Sequence, residues 1–385
     1  MAVPPNYAKT ALDDLGAPLV IWNALELRRL PADLTLAAAS VQTSTAACQM
    51  LANVLVRAGR TPQVVTTAPD DAPSFERLRR TIAGAAAAGS LRGGTLLRVG
   101  EPLAGYLDLE VSAGHLTRIG LREESVSIHE LHEAFAATTD EEARAVLDLI
   151  RERGWSGDGG PNLERSARLA QALGRFVART GAIGGAVNCH GPYFRGSTEI
   201  GIPACLAVSL FTDAGRPFAC SGDLPTAIAL YLVRRLAGAA LACAPVAPEP
   251  ETGLLLLATD GEGDPRSAES DDAVRLATNE RHPGQRGLGA SLVLKPRPGP
   301  ATLVSFSPAR DSWVLAWATG EVAEPWFERL GVPNALFRFA TEAKEQPITK
   351  WIASGATHHS VLAPGHLDVE LPALAEALLV RNVRV

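Results

Sequence analysis

Gln63-Val-Val-Thr-Thr67 is a five-residue apolar and β-branched run lying between two helical stretches. Before it, Ser44 to Ala58 repeats Ala47, Met50, Leu51, Val54 and Leu55 at helical spacing and stops at Gly59. After it, Ser74 to Ala88 predicts a second helix. Ala17-Pro-Leu-Val-Ile-Trp22, bounded by Gly16 and Asn23, predicts the preceding strand. Strand and helix alternate here at the spacing of βαβ units, which calls for a parallel sheet layered with helices.

Further along the texture changes. Gly94 to Gly100 predicts a strand, followed by shorter strands near Leu107–Val111 and Leu116–Gly120. Helices are expected at Ser127–Ala137, at Thr139–Glu152, where Thr139 and Glu142 have capping-box spacing, and at Leu163–Arg179. Trp155 to Asn162 is Gly-rich but lacks a GKS/T ending and reads as a linker between helices. Pro245-Val-Ala-Pro-Glu-Pro250 reads as a stiff connection. Beyond it, Leu254–Ala258, Ser291–Lys295, Thr302–Ser307, Trp313–Ala318 and Leu336–Phe339 are strand-like runs between Pro-, Gly- and Asp-rich loops, and Pro372–Leu379 is a last helix. The fold class expected is α/β, with N-terminal parallel Rossmann-like layers and a C-terminal β-rich, barrel-like part. The segments expected are 1–110, 111–247 and 248–385.

The bulk numbers exclude several roles. The 385 residues are 46% apolar and 20% charged, with a net charge of −6 and no basic cluster, which argues against nucleic-acid binding. The apolar stretch Leu224–Ala247 is broken by Arg234-Arg235 and by two prolines, so no membrane span is expected. The N-terminus has no signal-peptide pattern. Five cysteines without a CxxC pair suit neither a disulfide framework nor structural zinc, and a cytoplasmic setting is expected.

Three polar clusters could carry chemistry. Asn188-Cys189-His190 follows the buried run Ala182–Val187, where open α/β sheets place ligands. Adjacent strand residues face opposite ways, so Cys189 and His190 are not expected to act as a pair. Phe218-Ala-Cys220-Ser221-Gly222-Asp223-Leu-Pro225 reads as strand, tight turn and helix start, with Asp223 as N-cap. His358-His359 lies in a Gly-flanked segment suited to acid–base or ligand roles. His115, His129, His132 and His366 read as surface or capped.

Together these clusters resemble the L-fucose/L-arabinose isomerase superfamily. The likeness runs through Ile200–Cys205, Thr212–Asp223, Lys295–Leu303 and His358-His359-Ser-Val-Leu-Ala-Pro-Gly-His366, in the family's order. It implies an oligomeric aldose–ketose isomerase in which a divalent cation, usually manganese, binds the C1 and C2 oxygens while acidic groups move a proton through an ene-diol. On this resemblance His359 and Asp223 match expected positions. Ser221 stands where a glutamate is expected, and the second acid falls in Cys243–Val246, which has no carboxylate. The implied metal site is therefore degenerate, with His359 and Asp223 as its only candidate ligands.

The expected function is isomerase-like proton transfer next to the carbonyl of a sugar, sugar acid or related polyol. Asp223, His359, Ser221 and His358 are the catalytic candidates, and Asn188, His190, Glu199, Glu280 and His282 the substrate-binding ones. A homo-oligomer with a small carbohydrate-like substrate is expected. A lyase, epimerase or hydrolase on the same fold stays open, and so does a non-catalytic carbohydrate-binding protein.

Overall fold

The computed structural model describes residues 12, 15–41, 43–68, 70–190, 194, 196–279, 288–340 and 347–385. Its contacts divide the chain into two compact units, residues 1–92 with 368–382 and residues 93–367 with 383–385.

In the first unit, β1 (Val20–Ala24) is followed by α1 (Leu36–Val41), α2 (Ser44–Arg57), β2 (Gln63–Thr67) and α3 (Ala72–Gly89). β1 and β2 pair in parallel, Val20 opposite Gln63, as the βαβ spacing requires. Alternate residues Ile21 and Val65 are buried with Leu55 and Leu78 from the helices. The C-terminal helix Glu370–Leu378 packs on α3 at Gly84, where a Cβ would lie 2.3 Å from the Glu370 carbonyl oxygen. Arg80 beside it pairs with Asp368 and Glu370 at 2.8 Å each.

The second unit opens with β3 (Gly94–Val99), α4 (Ala113–Arg118), β4 (Leu121–Val126), α5 (Ile128–Ala136), α6 (Asp140–Glu152), α7 (Leu163–Thr180), β5 (Gly184–Val187), α8 (Cys205–Asp213), β6 (Phe218–Ala219) and α9 (Leu224–Ala237). Its strands form one parallel sheet in the order β4-β3-β5-β6. Both faces are covered, so the central strand β3 is buried along its whole length. The capping box at Thr139 and Glu142 forms as expected.

Two short strands do not form where expected. Leu107–Leu109 is a single 3₁₀ turn, and Leu116 lies in α4. Ser112 accepts the His115 N–H and starts that helix, whose apolar Leu116 and Ile119 are three apart on one buried face. The strand follows later, at Leu121.

The unit continues with β7 (Leu241–Glu249), β8 (Leu254–Ala258), β9 (Val274–Thr278), β10 (Ala290–Leu294), β11 (Gly299–Ala309), β12 (Ser312–Ala323), β13 (Asn334–Phe339), α10 (Pro347–Ala353) and β14 (Ser360–Pro364). The proline-rich stretch expected to be a connection is in fact the second half of β7. A register shift between Pro245 and Ala247 accommodates it, at the kind of irregularity where a ladder tolerates a residue without an N–H. Six antiparallel pairings, β11–β14, β14–β7, β7–β8, β8–β13, β13–β12 and β12–β11, return to their starting strand. The result is a closed six-stranded barrel, with β9 and β10 as a separate hairpin. Closure leaves none of the six with an unpaired edge. The long hairpin β11–β12 turns on Arg310-Asp311, and Phe306 stacks on Trp313 at 4.7 Å within it. Among the described residues no helix is long and apolar enough to cross a membrane.

Candidate active site

Every residue of the candidate site belongs to the second unit. The C-terminal end of β6, the start of β7, the residues after β8 and the residue before β14 line one small cavity, and the residues after β5 lie beside it. Parallel sheets characteristically place ligands at such strand ends.

The β6–α9 turn is held in an uncommon shape. Ser221 and Gly222 both take left-handed backbone conformations, with φ of 58° and 75°. The Asp223 N–H closes the turn on the Cys220 carbonyl at 3.0 Å. From below, the Arg98 guanidinium donates to the Gly222 carbonyl at 3.4 Å while gripping Glu123 with two bonds of 2.7 and 3.0 Å. Leu103 N–H donates to the Ser221 carbonyl at 3.3 Å. A non-glycine residue at positive φ costs free energy, so the surroundings must hold it there.

Gly222 is required both by its φ and by space, since a Cβ would lie 3.2 Å from the Pro102 Cα. Gly222→Ala is expected to cost about 1–3 kcal/mol and to lower Tm. An unchanged thermal melt would show that the turn has slack which its packing does not suggest.

The turn places Asp223 in full burial as the N-cap of α9. One carboxylate oxygen accepts the Thr226 N–H at 2.8 Å, and the other meets His359 Nδ1 at 2.8 Å. Asp223 therefore fixes the His359 ring and leaves its Nε2 edge for other work. Burial opposes a charge on His359. The bond and charge of Asp223, with Glu262 and Asp260 beyond, outweigh that and hold its pKa above the usual histidine value.

The free space in the cavity is about 10 Å³, room for about one water molecule. His359 lines it together with Cys220 from the turn, Cys243 from β7, and Asp260 and Glu262 from the loop after β8. Glu262 is strongly perturbed for a carboxyl group. Burial, reinforced by the negative Asp260 nearby, pushes its pKa up to about 7, against the opposing pull of His359. Its Oε2 is buried with no hydrogen-bond partner among the described residues. A carboxyl group of that kind can hold or release a proton at neutral pH, and such groups concentrate at working sites.

Beside the cavity, His190 Nε2 lies 3.2 Å from Cys220 Sγ and 3.6 Å from Asp260 Oδ2. Cys189 joins this group, contrary to the expectation that Cys189 and His190 point apart. β5 ends at Val187, so the alternation of a strand no longer governs these two residues. The bond to Cys189 and burial push the Cys220 thiol well above its ordinary pKa, and burial does the same for Cys205. Such thiols stay protonated at neutral pH and are poor nucleophiles.

The other expected site residues are dispersed. His358 lies against His359, with ring centroids 4.0 Å apart and the planes tilted by 44°, and its Nδ1 meets Asp108 Oδ2 at 2.7 Å. The same Asp108 oxygen accepts the His358 backbone N–H at 2.9 Å, so this pair steadies the approach to β14. Asn188 braces the end of β5, donating to the Glu101 carbonyl at 2.6 Å and accepting the His190 N–H at 3.2 Å. Glu199 is exposed, and its backbone carbonyl accepts from Arg165. Ser221 is buried in the turn and is not among the cavity-lining residues. Glu280 and His282 lie outside the described residues. His115 and His366 are capped by backbone carbonyls, of Ala309 at 2.6 Å and Gly320 at 2.9 Å.

Asp260 and Glu262 escaped the sequence reading. Their signal was present as Thr259-Asp-Gly-Glu262, a polar turn directly after the apolar strand Leu254–Ala258.

The residues at the positions that the resemblance assigns to a divalent cation do not make a hard-cation set. Ser221 offers no carboxylate, Cys243–Val246 offers none, and both oxygens of Asp223 are committed to Thr226 and His359.

The second unit thus joins a parallel α/β layer to a closed barrel, with a buried carboxyl group and an Asp-held histidine lining one cavity. Residues 248–380, less than half of the chain, match the family model of the L-arabinose isomerase C-terminal domain. That match supports the L-arabinose/L-fucose isomerase superfamily and points to a sugar isomerase-type enzyme. No curated protein matches the chain.

Proposed function

We propose that this protein moves a proton between the carbonyl carbon and the carbon next to it in an open-chain sugar, sugar acid or related polyol. Glu262 and His359 are the acid–base pair, and Asp223 positions the imidazole. The observation that carries this reading is Glu262, a buried carboxyl group with a pKa of about 7 and an oxygen lacking a partner, in the same cavity as His359.

The two groups have complementary tasks. Ionised Glu262 takes the proton from C2 while protonated His359 gives one to the carbonyl oxygen at C1, producing an ene-diol. Glu262 then returns its proton to C1 as the C2 hydroxyl gives its own to His359. The carbonyl now stands at C2, and both side chains regain their starting states. A base with a pKa near neutrality and an acid held charged by its neighbours are the pairing that general acid–base catalysis needs.

The test is hydrogen exchange. A panel of open-chain aldoses, ketoses and sugar acids incubated with the protein in deuterated water is expected to acquire deuterium at the carbon next to the carbonyl, read by NMR. No exchange with any member, alongside saturable binding of one of them, would overturn the catalytic reading in favour of a binding protein.

A further inference from the structure

We propose that Cys189, His190 and Cys220 form a binding site for one zinc-class cation, its fourth position opening toward Asp260. The three donor atoms already lie within 4.8 Å of one another, and His190 Nε2 is 3.2 Å from Cys220 Sγ. A tetrahedral zinc with bonds of about 2.3 Å to sulfur and about 2.0 Å to nitrogen sets its ligands roughly 3.5–3.8 Å apart. The separations therefore need to change by about an ångström at most to close around such an ion.

The supports are rigid. Cys189 and His190 directly follow β5, and the Asn188 side chain locks them by bonding both the Glu101 carbonyl and the His190 N–H. Cys220 ends β6 at the turn held by Arg98 and Leu103. Both sulfurs are buried, whereas Asp260 Oδ2 lies 3.6 Å from His190 Nε2 and lines the cavity. An ion held by three protein donors thus has its remaining position on the carboxylate and cavity side.

Two sulfurs and one imidazole select zinc-class cations over manganese, which prefers oxygen donors. The proton count closes. The ion displaces one proton from each thiol, two in all, while neutral His190 binds through Nε2 and carries its remaining proton on Nδ1. The bound dication and two thiolates then sum to zero. The site shares no donor with the Asp223–His359 pair or with Glu262, so it stands or falls separately from the proton-transfer reading.

The test uses the full chain, stripped with a chelator under reducing conditions and titrated with Zn²⁺, Mn²⁺ and Co²⁺. One equivalent of Zn²⁺ is expected to bind far more tightly than Mn²⁺. Co²⁺ should show thiolate-to-metal charge-transfer absorption and the intense visible bands of a tetrahedral ion. Cys189→Ser and Cys220→Ser are expected to weaken Zn²⁺ binding by about a hundredfold or more and to reduce the charge-transfer band, with Cys48→Ser behaving as wild type. Zn²⁺ held no more tightly than Mn²⁺, Co²⁺ bound without the charge-transfer band, or undiminished binding in both thiol variants would each overturn the proposal. If those variants fail to fold, the wild-type Co²⁺ spectrum decides it alone.

Discussion

Asp223→Asn is expected to reduce turnover on the order of 10³–10⁴-fold while leaving the protein folded. Asparagine can still accept the Thr226 N–H and cap α9, because its carbonyl oxygen replaces the capping carboxylate oxygen. It cannot supply the negative charge that meets His359 Nδ1 at 2.8 Å, and its amide can turn an N–H toward that nitrogen instead. The imidazole then loses both its favoured tautomer and its raised pKa.

The effect on stability has a definite sign. His359 titrates above its ordinary value of 6.5 in the folded protein, so the pairing stabilises the fold fully below that value. The contribution disappears as pH rises through the folded pKa. The asparagine variant should therefore lose stability chiefly on the acid side and differ little from wild type at alkaline pH. Asp223→Ala is the contrast. It also orphans the helix cap, costing a further 1–3 kcal/mol or so. Steady-state kinetics with thermal melts at two pH values checks both points. Full activity in Asp223→Asn would remove His359 from the proposed chemistry.

Glu262→Gln is expected to reduce turnover by about 10³-fold, the middle of the range for losing a general base, and to make the protein more stable near neutral pH. The neutral amide has nearly the shape of the carboxyl group and no charge to bury. In the wild type the folded pKa is about 7, above the ordinary 4.5. The native state therefore keeps its proton where the unfolded chain has released it. Stability from this group is complete below about pH 4.5 and falls as pH rises toward 7, by roughly 3 kcal/mol. That slope should be absent in the glutamine variant, and the activity limb near pH 7 should vanish with it. Denaturant unfolding from pH 4 to 8 reads the first, and the pH dependence of kcat/KM reads the second. If the slope persists in the variant, Glu262 is not the group that titrates.

Local regularities in the sequence carried most of the fold. The parallel pairing of β1 with β2 follows from two strand-length runs flanking a helix. The capping spacing at Thr139 and Glu142 placed α6, and Asp223 with Pro225 placed the start of α9. The failures also have local causes. Leu116 was read as strand because a short apolar run carries little periodicity, whereas the Ser112 cap started a helix there. Pro245 and Pro248 were read as a linker because proline weakens a ladder, yet a register shift let β7 keep both. A β-rich, barrel-like part was expected from the runs of strands, but the pairing that closes it was not legible, because β11 pairs with both β12 and β14 and no local pattern encodes the second of those partners.

For the site, the sequence by itself determined which chemical groups were available and where single strands would end. It singled out Asp223 and His190 from their place after buried runs and His359 from a histidine pair in a Gly-flanked segment, and Ser221 offers no acid. Only the tertiary structure decided which groups meet. Asp260 and Glu262 lie far along the chain from Asp223, and folding of the barrel places all three near His359. Cys189, His190 and Cys220 share no spacing that announces a metal site, because their proximity arises from β5 and β6 lying side by side. Glu262 acquires its pKa of about 7 from burial and from Asp260, neither of which is a property of local sequence. Proton affinity and ligand geometry depend on distance and dielectric, and both are set when the chain closes around the site.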